Sequence, residues 1–394
     1  MLKAGQKASF ETYISEELHR EFAFICGDVS ALHTSSQFAE SSRFKKRLGY
    51  TALLHSLLSR LYGEYLPGGK SICMKQSAVY KAPYYIGDTL VARAEAIAVW
   101  EATQTALIKT TILKGDLLIM EGEGLVKIEI DEDELPCLYK SGARKIRSSD
   151  LVAALDFIKE GDAVFTHSDI SSFGALGTTD RAWFFDALIA SFIKVVGLSG
   201  NLLFPVFTYS FCKNEPFDVQ NTPSCVGVLT EAFRKQKGVV RNLHPIFSVA
   251  GRGALIEDFL TANNDSFGEA SVFANLVKND AWILLFGTGL NSLTFIHHIE
   301  QSYTVPYRYM KRFEGSIINL GAQYDSYADY YVRDLNKNPL LDTQKLEKRL
   351  LQEGVLRVSK LGDGYIKGVK ARELYDIGIS MLKEDIRSFI KIGN

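Results

Sequence analysis

Residues 49–69 read GYTALLHSLLSRLYGEYLPGG and form the first strong helical pattern in a chain of 394 residues. The leucines of this stretch recur at the spacing i, i+1, i+4, i+5 and i+8, which places them on one side of a helix: Leu53, Leu54, Leu57, Leu58 and Leu61. Pro67 and the two glycines that follow it end the pattern. The stretch therefore predicts one helix of about 16 residues with a buried stripe.

The residues after this helix have the character of β-strands. Runs of alternating or β-branched residues follow one another: CMKQSAVYKA (73–82), TLVARAEAIAVW (89–100), TALIKTTIL (105–113) and LLIMEGEGLVKIEI (117–130). One helix followed by consecutive strands predicts an α+β domain, residues 1–132, whose antiparallel sheet packs on that helix.

A change in the sequence pattern marks a second domain. Residues 131–150, DEDELPCLYKSGARKIRSSD, are charged and turn-forming and follow neither periodicity, which indicates a linker at 133–148. Beyond it, helical patterns such as RAWFFDALIASFIKVVG (181–197) alternate with short apolar runs such as DAVFTHS (162–168), NLLFPVF (201–207) and AWILLFGTG (281–289). The alternation predicts an α/β domain, residues 149–394, with helices layered on a mainly parallel or mixed sheet.

The composition describes an ordinary folded protein. Lys and Arg number 45 against 46 Asp and Glu, so the net charge of −1 gives no reason to expect nucleic acid as a ligand. Five cysteines without a CxxC or Cys/His spacing predict free thiols in a reducing cytosol and no metal site. Since the N-terminus has no apolar targeting core and no run reaches the length of a membrane helix, we expect a soluble, cytoplasmic protein without a membrane partner.

A polar segment before the first helix contains a carboxylate and an imidazole. Residues 27–33 read GDVSALH, with Asp28 and His33 five residues apart, and a second Gly-Asp pair follows at residues 87 and 88. Together with Ser56 in the helix and the LPGG that ends it, this order resembles the MaoC-like, hotdog-fold (R)-specific enoyl-CoA hydratases over residues 10–130.

The resemblance implies catalytic roles for Asp28 and His33, which would hold the water that adds to an enoyl thioester. Such a reaction needs a base and an acid side by side. Backbone N–H groups near Gly49 would polarise the thioester carbonyl as an oxyanion hole. This chain has Ser30 and Ala31 where the family usually has Asn and Pro, which leaves the position of the loop open. The alternative is a hotdog domain that serves dimerisation or acyl binding without turnover.

The second domain contains four motifs in a fixed order. They are VFTHSDISSFGALG (164–177), GLSGNLLFPVFTYSF (197–211), VGVLTEAFRKQKGVVRNLHPIFSVAGRG (226–253) and ILLFGTGLNSLTFIHHIE (283–300). Their order resembles the aminoglycoside 3-N-acetyltransferase family over residues 150–310. The resemblance implies an antibiotic N-acetyltransferase-like α/β fold and a coenzyme A thioester as co-substrate.

The third and fourth motifs contain candidates for acid–base chemistry. Proline disfavours helix in the residue before it, so His244 is expected to be displayed rather than packed. An amine that attacks a thioester needs a general base, for which a histidine oriented by a carboxylate is the usual solution. The candidate carboxylates are Glu231 and Glu300, and the i, i+3 spacing places His297 on the same helical face as Glu300. The resemblance implies that His244 lies in the active site and that His297 and Glu300 line the acceptor region.

The resemblance also supplies candidates for cofactor binding. The loop after the apolar run DAVFTHS carries small and hydroxyl residues, and the family binds the pantetheine arm of coenzyme A there. His167, Ser168 and Ser171 are therefore candidate ligands of the cofactor. Thr208 and Ser248 match family positions near the cofactor or the substrate.

The two resemblances together predict a bifunctional enzyme. Its first domain would hydrate an enoyl-CoA to an (R)-3-hydroxyacyl-CoA, and its second would transfer an acyl group from coenzyme A to the amine of an amino sugar. A nucleotide-linked amino sugar for a surface glycan is the expected acceptor, and a homodimer or larger homo-oligomer is expected from the hotdog resemblance. The alternative is a plain acetyl-CoA-dependent N-acetyltransferase with a noncatalytic hotdog module.

Overall fold

The computed structural model describes residues 2–69, 71–100, 103–128, 136–260, 263–337 and 339–392. The chain divides into two compact units, Met1–Leu135 and Pro136–Asn394. Of the linker predicted at 133–148, residues 133–135 lie outside the described residues, and the rest folds with the second unit. Leu138, Tyr139 and Ile146 are fully buried there, so apolar side chains hold this stretch in place despite its charged neighbours.

The first unit is one antiparallel sheet with helices. Its strands are β1 (Lys7–Tyr13), β2 (Ser71–Gln76), β3 (Val79–Tyr80), β4 (Thr89–Trp100), β5 (Thr105–Lys114) and β6 (Leu117–Ile128). Its helices are α1 (Glu16–Cys26), α2 (Ala31–Thr34), α3 (Ser36–Ser41) and α4 (Thr51–Arg60). The sheet has the order β1-β4-β5-β6-β2, with β3 also paired to β6.

The predicted leucine stripe forms the centre of the first core. Leu53, Leu54, Leu57 and Leu58 of α4 are buried in one cluster with inward-facing residues of β4, β5 and β6. Each such side chain contributes about 1.5–3 kcal/mol by leaving water. The helix continues as a π-helical turn over Leu61–Tyr65. The predicted helix and antiparallel sheet are therefore confirmed, whereas α1, capped by Ser15 and ended by Gly27, was not predicted.

The second unit is built around a mixed sheet. Its strands are β7 (Tyr139–Ser141), β8 (Arg144–Ile146), β9 (Ala163–Ser168), β10 (Ala175–Leu176), β11 (Asn201–Pro205), β12 (Phe217–Asp218), β13 (Val240–Arg241), β14 (Val249–Gly253), β15 (Trp282–Phe286), β16 (Arg308–Asn319), β17 (Ala322–Arg333), β18 (Pro339–Leu341), β19 (Arg357–Leu361), β20 (Gly364–Lys370) and β21 (Ile390–Ile392). Its helices are α5 (Ser148–Ala154), α6 (Arg181–Val196), α7 (Val228–Arg234), α8 (Ile256–Phe259), α9 (Val272–Lys278), α10 (Ile296–Tyr303), α11 (Gln344–Gln352) and α12 (Ala371–Glu384).

The central sheet has the order β13-β14-β11-β9-β15-β20-β19. Strands β11, β9 and β15 are parallel neighbours, and the others pair antiparallel. Each of these three strands was predicted from its apolar run, and the mixed sheet is confirmed. Because side chains alternate along β9, Phe165 packs into one hydrophobic cluster and Val164 into another.

A long hairpin, β16–β17, follows the last motif of the sequence and was not predicted. Its strands pair over their full length, from Arg308 opposite Arg333 to Asn319 opposite Ala322. It pairs further with the short strand β12. In the described part of the chain, every helix is too short or too polar to cross a membrane.

Candidate active sites

The first candidate site comprises Asp28 in the loop that joins α1 to α2 and His33 in α2. The Nδ1 atom of His33 is 2.8 Å from the carbonyl oxygen of Leu48, which can only accept, so Nδ1 carries the proton. In the neutral ring Nε2 is then unprotonated, and it lies 3.9 Å from Oδ2 of Asp28. The two predicted catalytic residues are neighbours, and the Asp28 side chain is 48% exposed.

The conformation of this loop is set by residues that the sequence analysis did not single out. The ring of Tyr50 stacks on His33 at 4.1 Å between centroids, and its hydroxyl donates to the backbone oxygen of Asp28 at 2.8 Å. His19 is buried with its Nε2 at 3.0 Å from the His33 oxygen. The Ser30 N–H donates to Asp28 Oδ1 at 3.0 Å and lowers the pKa of that carboxyl, so Asp28 is ionised at neutral pH.

The expected role of Gly49 is not supported by its contacts. Its N–H donates to the backbone oxygen of Tyr84 at 2.9 Å and is not available to a thioester oxygen. A Cβ atom on Gly49 would lie 2.1 Å from the ring of Tyr84, so the glycine allows a close approach of this ring. Helix geometry leaves the next N–H groups, those of Thr51 and Ala52 in the first turn of α4, without intrahelical acceptors.

This contact predicts a stability effect for Gly49→Ala. The added methyl group must displace the buried ring of Tyr84, and overpacking of this kind costs about 1–3 kcal/mol. Chemical denaturation with the first unit's unfolding as readout measures the loss. Gly63→Ala is the control, because no atom lies within 4 Å of a Cβ at that position, and it should leave the free energy of unfolding equal or slightly higher. Equal stability of wild type and Gly49→Ala would contradict the packing role.

The second unit contains a buried group of three charged or titratable side chains. His297 and Glu300 lie one turn apart on α10, and Nδ1 of His297 is 2.9 Å from Oε2 of Glu300. Arg308, the first residue of β16, places Nε at 2.8 Å from the same oxygen and Nη2 at 2.9 Å from His297 Nδ1. Glu300 is fully buried, while the His297 side chain keeps 18% of its surface exposed. His297 and Glu300 therefore lie on one face of α10, as predicted. The contact of Arg308 with both residues was not predicted.

The electrostatics of this group favour a neutral imidazole beside an ionised carboxylate. Burial and the positive charge of Arg308 lower the pKa of His297, although Glu300 opposes this effect. Burial alone would raise the pKa of Glu300, but its contacts with His297 and Arg308 outweigh burial and lower the pKa. Nδ1 of His297 faces both the Glu300 carboxylate, which can only accept, and an N–H of Arg308, which can only donate. In the tautomer that donates from Nδ1 to Glu300, Nε2 is an acceptor.

His244 lies in a turn whose backbone determines its tautomer. The N–H groups of Ile246 and Phe247 approach its Nδ1 at 3.2 and 3.0 Å. Because a backbone N–H can only donate, Nδ1 is unprotonated and the proton of the neutral ring is on Nε2. Burial lowers the pKa of His244 to about 4, so the ring is neutral at pH 7. Nε2 has no hydrogen-bond partner among the described residues.

This geometry corrects two expectations about His244. The ring is buried rather than displayed, since only 6% of the residue is exposed and the ring packs 6.1 Å from that of Phe247. None of its described hydrogen bonds involves a carboxylate, because both contacts to Nδ1 come from the backbone. The proline constrained the backbone as expected, but the turn that follows it folds the ring inward.

His167, Ser168 and Ser171 lie where β9 ends. His167 faces the same side of the sheet as Phe165, and burial lowers its pKa to about 4. Its Nε2 is buried without a partner among the described residues. The backbone of Ser168 pairs with that of Phe286, the last residue of β15. The hydroxyl of the exposed Ser171 donates to Asp169 at 2.6 Å and contributes to the cap of a short 3₁₀ turn.

Two other predicted residues, Thr208 and Ser248, have structural partners. Thr208 is buried and its hydroxyl donates to the Pro245 oxygen at 2.7 Å, which fixes the turn that carries His244. Ser248 is fully buried, donates to the Val206 oxygen at 2.7 Å and accepts from Arg241, so its hydroxyl is occupied.

Glu231 forms a hydrogen-bonded pair with Arg234, at 2.8 and 2.7 Å, and also accepts from the N–H of Ser224. Burial alone would raise its pKa, but these partners lower it to about 2. A carboxylate this acidic is a poor general base at neutral pH.

An aromatic cluster connects His244 to His297. Phe247 packs beside His244, Phe267 packs 4.7 Å from Phe247, and the His297 ring lies 5.3 Å from Phe267. Tyr330 of β17 contacts both phenylalanines. Phe247, Phe267 and Arg308 were not predicted as site residues. In the ranges that the structure describes, no group of three His, Cys, Asp or Glu side chains could hold a metal ion.

Comparison with known proteins assigns each unit. Residues 165–383 match the family described as aminoglycoside 3-N-acetyltransferase. Aminoglycoside N(3)-acetyltransferase VII of Streptomyces paromomycinus is 25% identical over 290 residues, which are 64% of this chain and 97% of the relative. The solved binary complex of AAC-IIIb with coenzyme A is 25% identical, has a TM-score of 0.52, and aligns over 60% of this chain and 96% of its own.

The first unit matches a different group of proteins. The (R)-specific enoyl-CoA hydratase of Aeromonas caviae is 34% identical over 128 residues, which are 32% of this chain and 96% of that enzyme. Both resemblances inferred from the motifs are thus confirmed. The chain belongs to the aminoglycoside 3-N-acetyltransferase family through its second unit, and its first unit belongs to the (R)-specific enoyl-CoA hydratase family.

Proposed function

We propose that the protein is a bifunctional enzyme that hydrates an enoyl-CoA to an (R)-3-hydroxyacyl-CoA and transfers an acyl group from coenzyme A to the amine of an amino sugar. The observation that carries the transferase proposal is the contact of 2.9 Å between Nδ1 of His297 and Oε2 of Glu300. His244, with its proton on Nε2, lies on the other side of the aromatic cluster formed by Phe247 and Phe267. The relatives act on acyl-CoA or on aminoglycoside amines, as their names say.

In the transferase unit, His297 is the general base of the proposal. Its Nε2 accepts a proton from the acceptor amine while the amine nitrogen bonds to the thioester carbon, and Glu300 stabilises the resulting imidazolium through Nδ1. The carbon–sulfur bond then breaks, and the sulfur leaves as a thiolate that takes up a proton. Arg308 holds Glu300 in its ionised state.

His244 has the opposite role in this proposal. A neutral ring whose Nδ1 accepts from two backbone N–H groups cannot accept at Nε2, but it can donate there. A buried donor without a partner suits the carbonyl oxygen of a thioester, on which negative charge develops during attack. His167, whose Nε2 is also buried without a described partner, is a second candidate ligand for the coenzyme A thioester.

Substitution of His244 tests the donor role. His244→Ala should lower kcat by about 100- to 1,000-fold, because it removes an oxyanion donor. His244→Gln should retain more activity than the alanine variant, because the glutamine amide presents an N–H near the position of Nε2 while it cannot act as a base. Steady-state kinetics of thiol release measures both. Equal loss in the two variants would contradict the donor role.

In the hydratase unit, Asp28 and His33 are the proposed catalytic pair. The ionised carboxylate and the unprotonated Nε2 of His33 both accept, so both can hold a water molecule between them. The proton that this water loses as it adds to C3 passes to one of the two groups, and C2 receives a proton from the site. The N–H groups of Thr51 and Ala52 replace that of Gly49 as the proposed donors to the thioester oxygen.

The two reactions can be consecutive, since the 3-hydroxyacyl thioester made by the first is an acyl donor for the second. This relation favours a biosynthetic acceptor, which we propose to be a nucleotide-linked amino sugar of a surface glycan. The alternative remains a plain N-acetyltransferase whose first unit is noncatalytic. Incubation of the full chain with crotonyl-CoA and an amino-sugar nucleotide decides between them by the mass of the amide product. A 3-hydroxybutyryl amide supports the coupled enzyme, whereas an amide formed only with added acetyl-CoA supports the alternative.

A further inference from the structure

A buried tyrosine, Tyr307, has no role in the mechanism proposed above. It belongs to the same hydrophobic cluster as the apolar residues of α10, and only 4% of the residue is exposed. Its hydroxyl oxygen is buried without a hydrogen-bond partner among the described residues, and so is Oε1 of Glu300, the carboxylate oxygen that does not contact His297. A hydroxyl can donate and a carboxylate oxygen can accept, and each costs free energy when it is buried alone.

The chain that follows α10 turns back and brings Tyr307 to the end of that helix. The N–H of Val305 donates to the backbone oxygen of Glu300 at 3.2 Å. The hydroxyl of Tyr331 donates to the backbone oxygen of Val305 at 2.7 Å. The segment that carries Tyr307 is therefore held between α10 and β17, directly before Arg308, whose side chain contacts Glu300.

The electrostatics of the two side chains agree with a contact between them. Burial raises the pKa of Tyr307 above its ordinary range and the charge of Glu300 raises it further, so the hydroxyl keeps its proton and can donate it. Burial alone would raise the pKa of Glu300, but the contacts with His297 and Arg308, together with the hydroxyl of Tyr307, lower it.

The other ionisable groups around this pair come from the same three elements. The groups that face Glu300 or His297 from α10, from the turn after it and from the hairpin are Tyr307, Arg308, Tyr330, Tyr331 and Arg333. Burial raises the pKa of each of these tyrosines, and an arginine stays protonated. His297 is therefore the member of the group that titrates at mildly acidic pH.

We propose that Tyr307 is a positioning residue of the transferase site, and that its hydroxyl donates a hydrogen bond to Oε1 of Glu300. This bond holds the carboxylate in the orientation in which Oε2 accepts from His297. It also takes up part of the negative charge that attracts a proton to His297. A larger share of His297 thus stays neutral as the pH falls, and the neutral ring is the form that acts as a base. The inference rests on the proposed role of His297 as the general base.

NMR titration of the histidine rings in the full chain tests the contact without catalysis. Tyr307→Phe removes the hydroxyl and keeps the ring, so Glu300 should attract a proton to His297 more strongly and raise the pKa of His297 by about 0.5–1. The signal of His297 is the one that His297→Ala lacks. An unchanged or lowered pKa of His297 in Tyr307→Phe would overturn the proposal.

Tyr139→Phe is the matched control. Tyr139 is also buried, its hydroxyl has no hydrogen-bond partner among the described residues, and it packs in the other hydrophobic cluster of the second unit. This change should leave the pKa of His297 unchanged. Chemical denaturation separates the two hydroxyls further, because Tyr307→Phe should lower the free energy of unfolding and Tyr139→Phe should leave it equal or raise it. A Tyr307→Phe variant as stable as the wild type would show an unpaired hydroxyl and contradict the contact.

The pH profile of acyl transfer connects the contact to function. In Tyr307→Phe the acid limb of kcat should move to higher pH, opposite to the direction expected for Glu300→Gln, while KM for acetyl-CoA stays unchanged. If the wild type acylates no amine and the pKa of His297 still rises in Tyr307→Phe, the transferase proposal fails and the contact stands. If the wild type transfers acyl groups and the acid limb of the variant does not move, the positioning role fails and the transferase stands.

Discussion

Replacing His297 with alanine should reduce N-acyl transfer by about 100- to 10,000-fold, the range typical of a lost general base. The loss should appear in kcat, with KM for acetyl-CoA nearly unchanged, because the imidazole acts on the acceptor amine. The neutral ring is the active form, so activity falls as the pH drops through the pKa of His297. Since burial and Arg308 lower this pKa, the acid limb of the wild type should lie below the ordinary histidine value of 6.5.

Glu300→Gln gives the same proposal a second readout. The carboxylate raises the pKa of His297 through its hydrogen bond and its charge, so its removal should move the acid limb of kcat to lower pH. A purely structural role of Glu300 would lower activity without this movement. His298→Asn is a control on the same helix, because asparagine can still donate to the Phe267 oxygen that His298 Nδ1 contacts at 2.7 Å. An unchanged kcat in His297→Ala would remove this residue from the mechanism.

Asp28→Asn should abolish the hydration of crotonyl-CoA, with a loss of about 100-fold or more, while transfer from a ready-made acyl-CoA continues at the wild-type rate. The amide keeps the shape of the side chain but lowers its basicity, so it cannot take a proton from water. Loss of the enoyl absorbance measures the first activity, and thiol release measures the second.

The matched control for Asp28→Asn is Asp116→Asn, which makes the same change at an exposed turn of the first unit. It should leave hydration unchanged. A wild-type protein that does not consume crotonyl-CoA would leave the first unit as a noncatalytic module. If Asp28→Asn slowed acyl transfer and left hydration unchanged, the two reactions would not be independent in the way proposed.

Much of the fold could be predicted from local patterns. The stripe on α4 and the strands β4, β5 and β6 follow from side-chain periodicity, and β9, β11 and β15 follow from their short apolar runs. These elements bury the faces that their patterns define. The pairing of His297 with Glu300 was also predictable, because a spacing of three residues within one helix fixes their neighbourhood.

The rest depends on contacts between distant parts of the chain. Arg308 reaches Glu300 from a hairpin strand that carries no motif, and Gly49 is explained by Tyr84, 35 positions further along the chain. The tautomer of His244 is set by two backbone N–H groups, which no pattern of side chains reveals. Glu231 is a carboxylate and could have oriented a histidine, but the sequence did not show that Arg234 would pair with it and lower its pKa.

The register of the hairpin β16–β17 limits how this protein can change during evolution. Its strands pair residue by residue from Arg308 to Arg333, and side chains alternate between its two faces. A single-residue insertion or deletion within either strand would turn Lys311 or Arg333 to the opposite face and shift their partners. Length changes should therefore accumulate at the turn around Gly321, far along the strands from the buried Arg308, while the strands themselves vary by substitution.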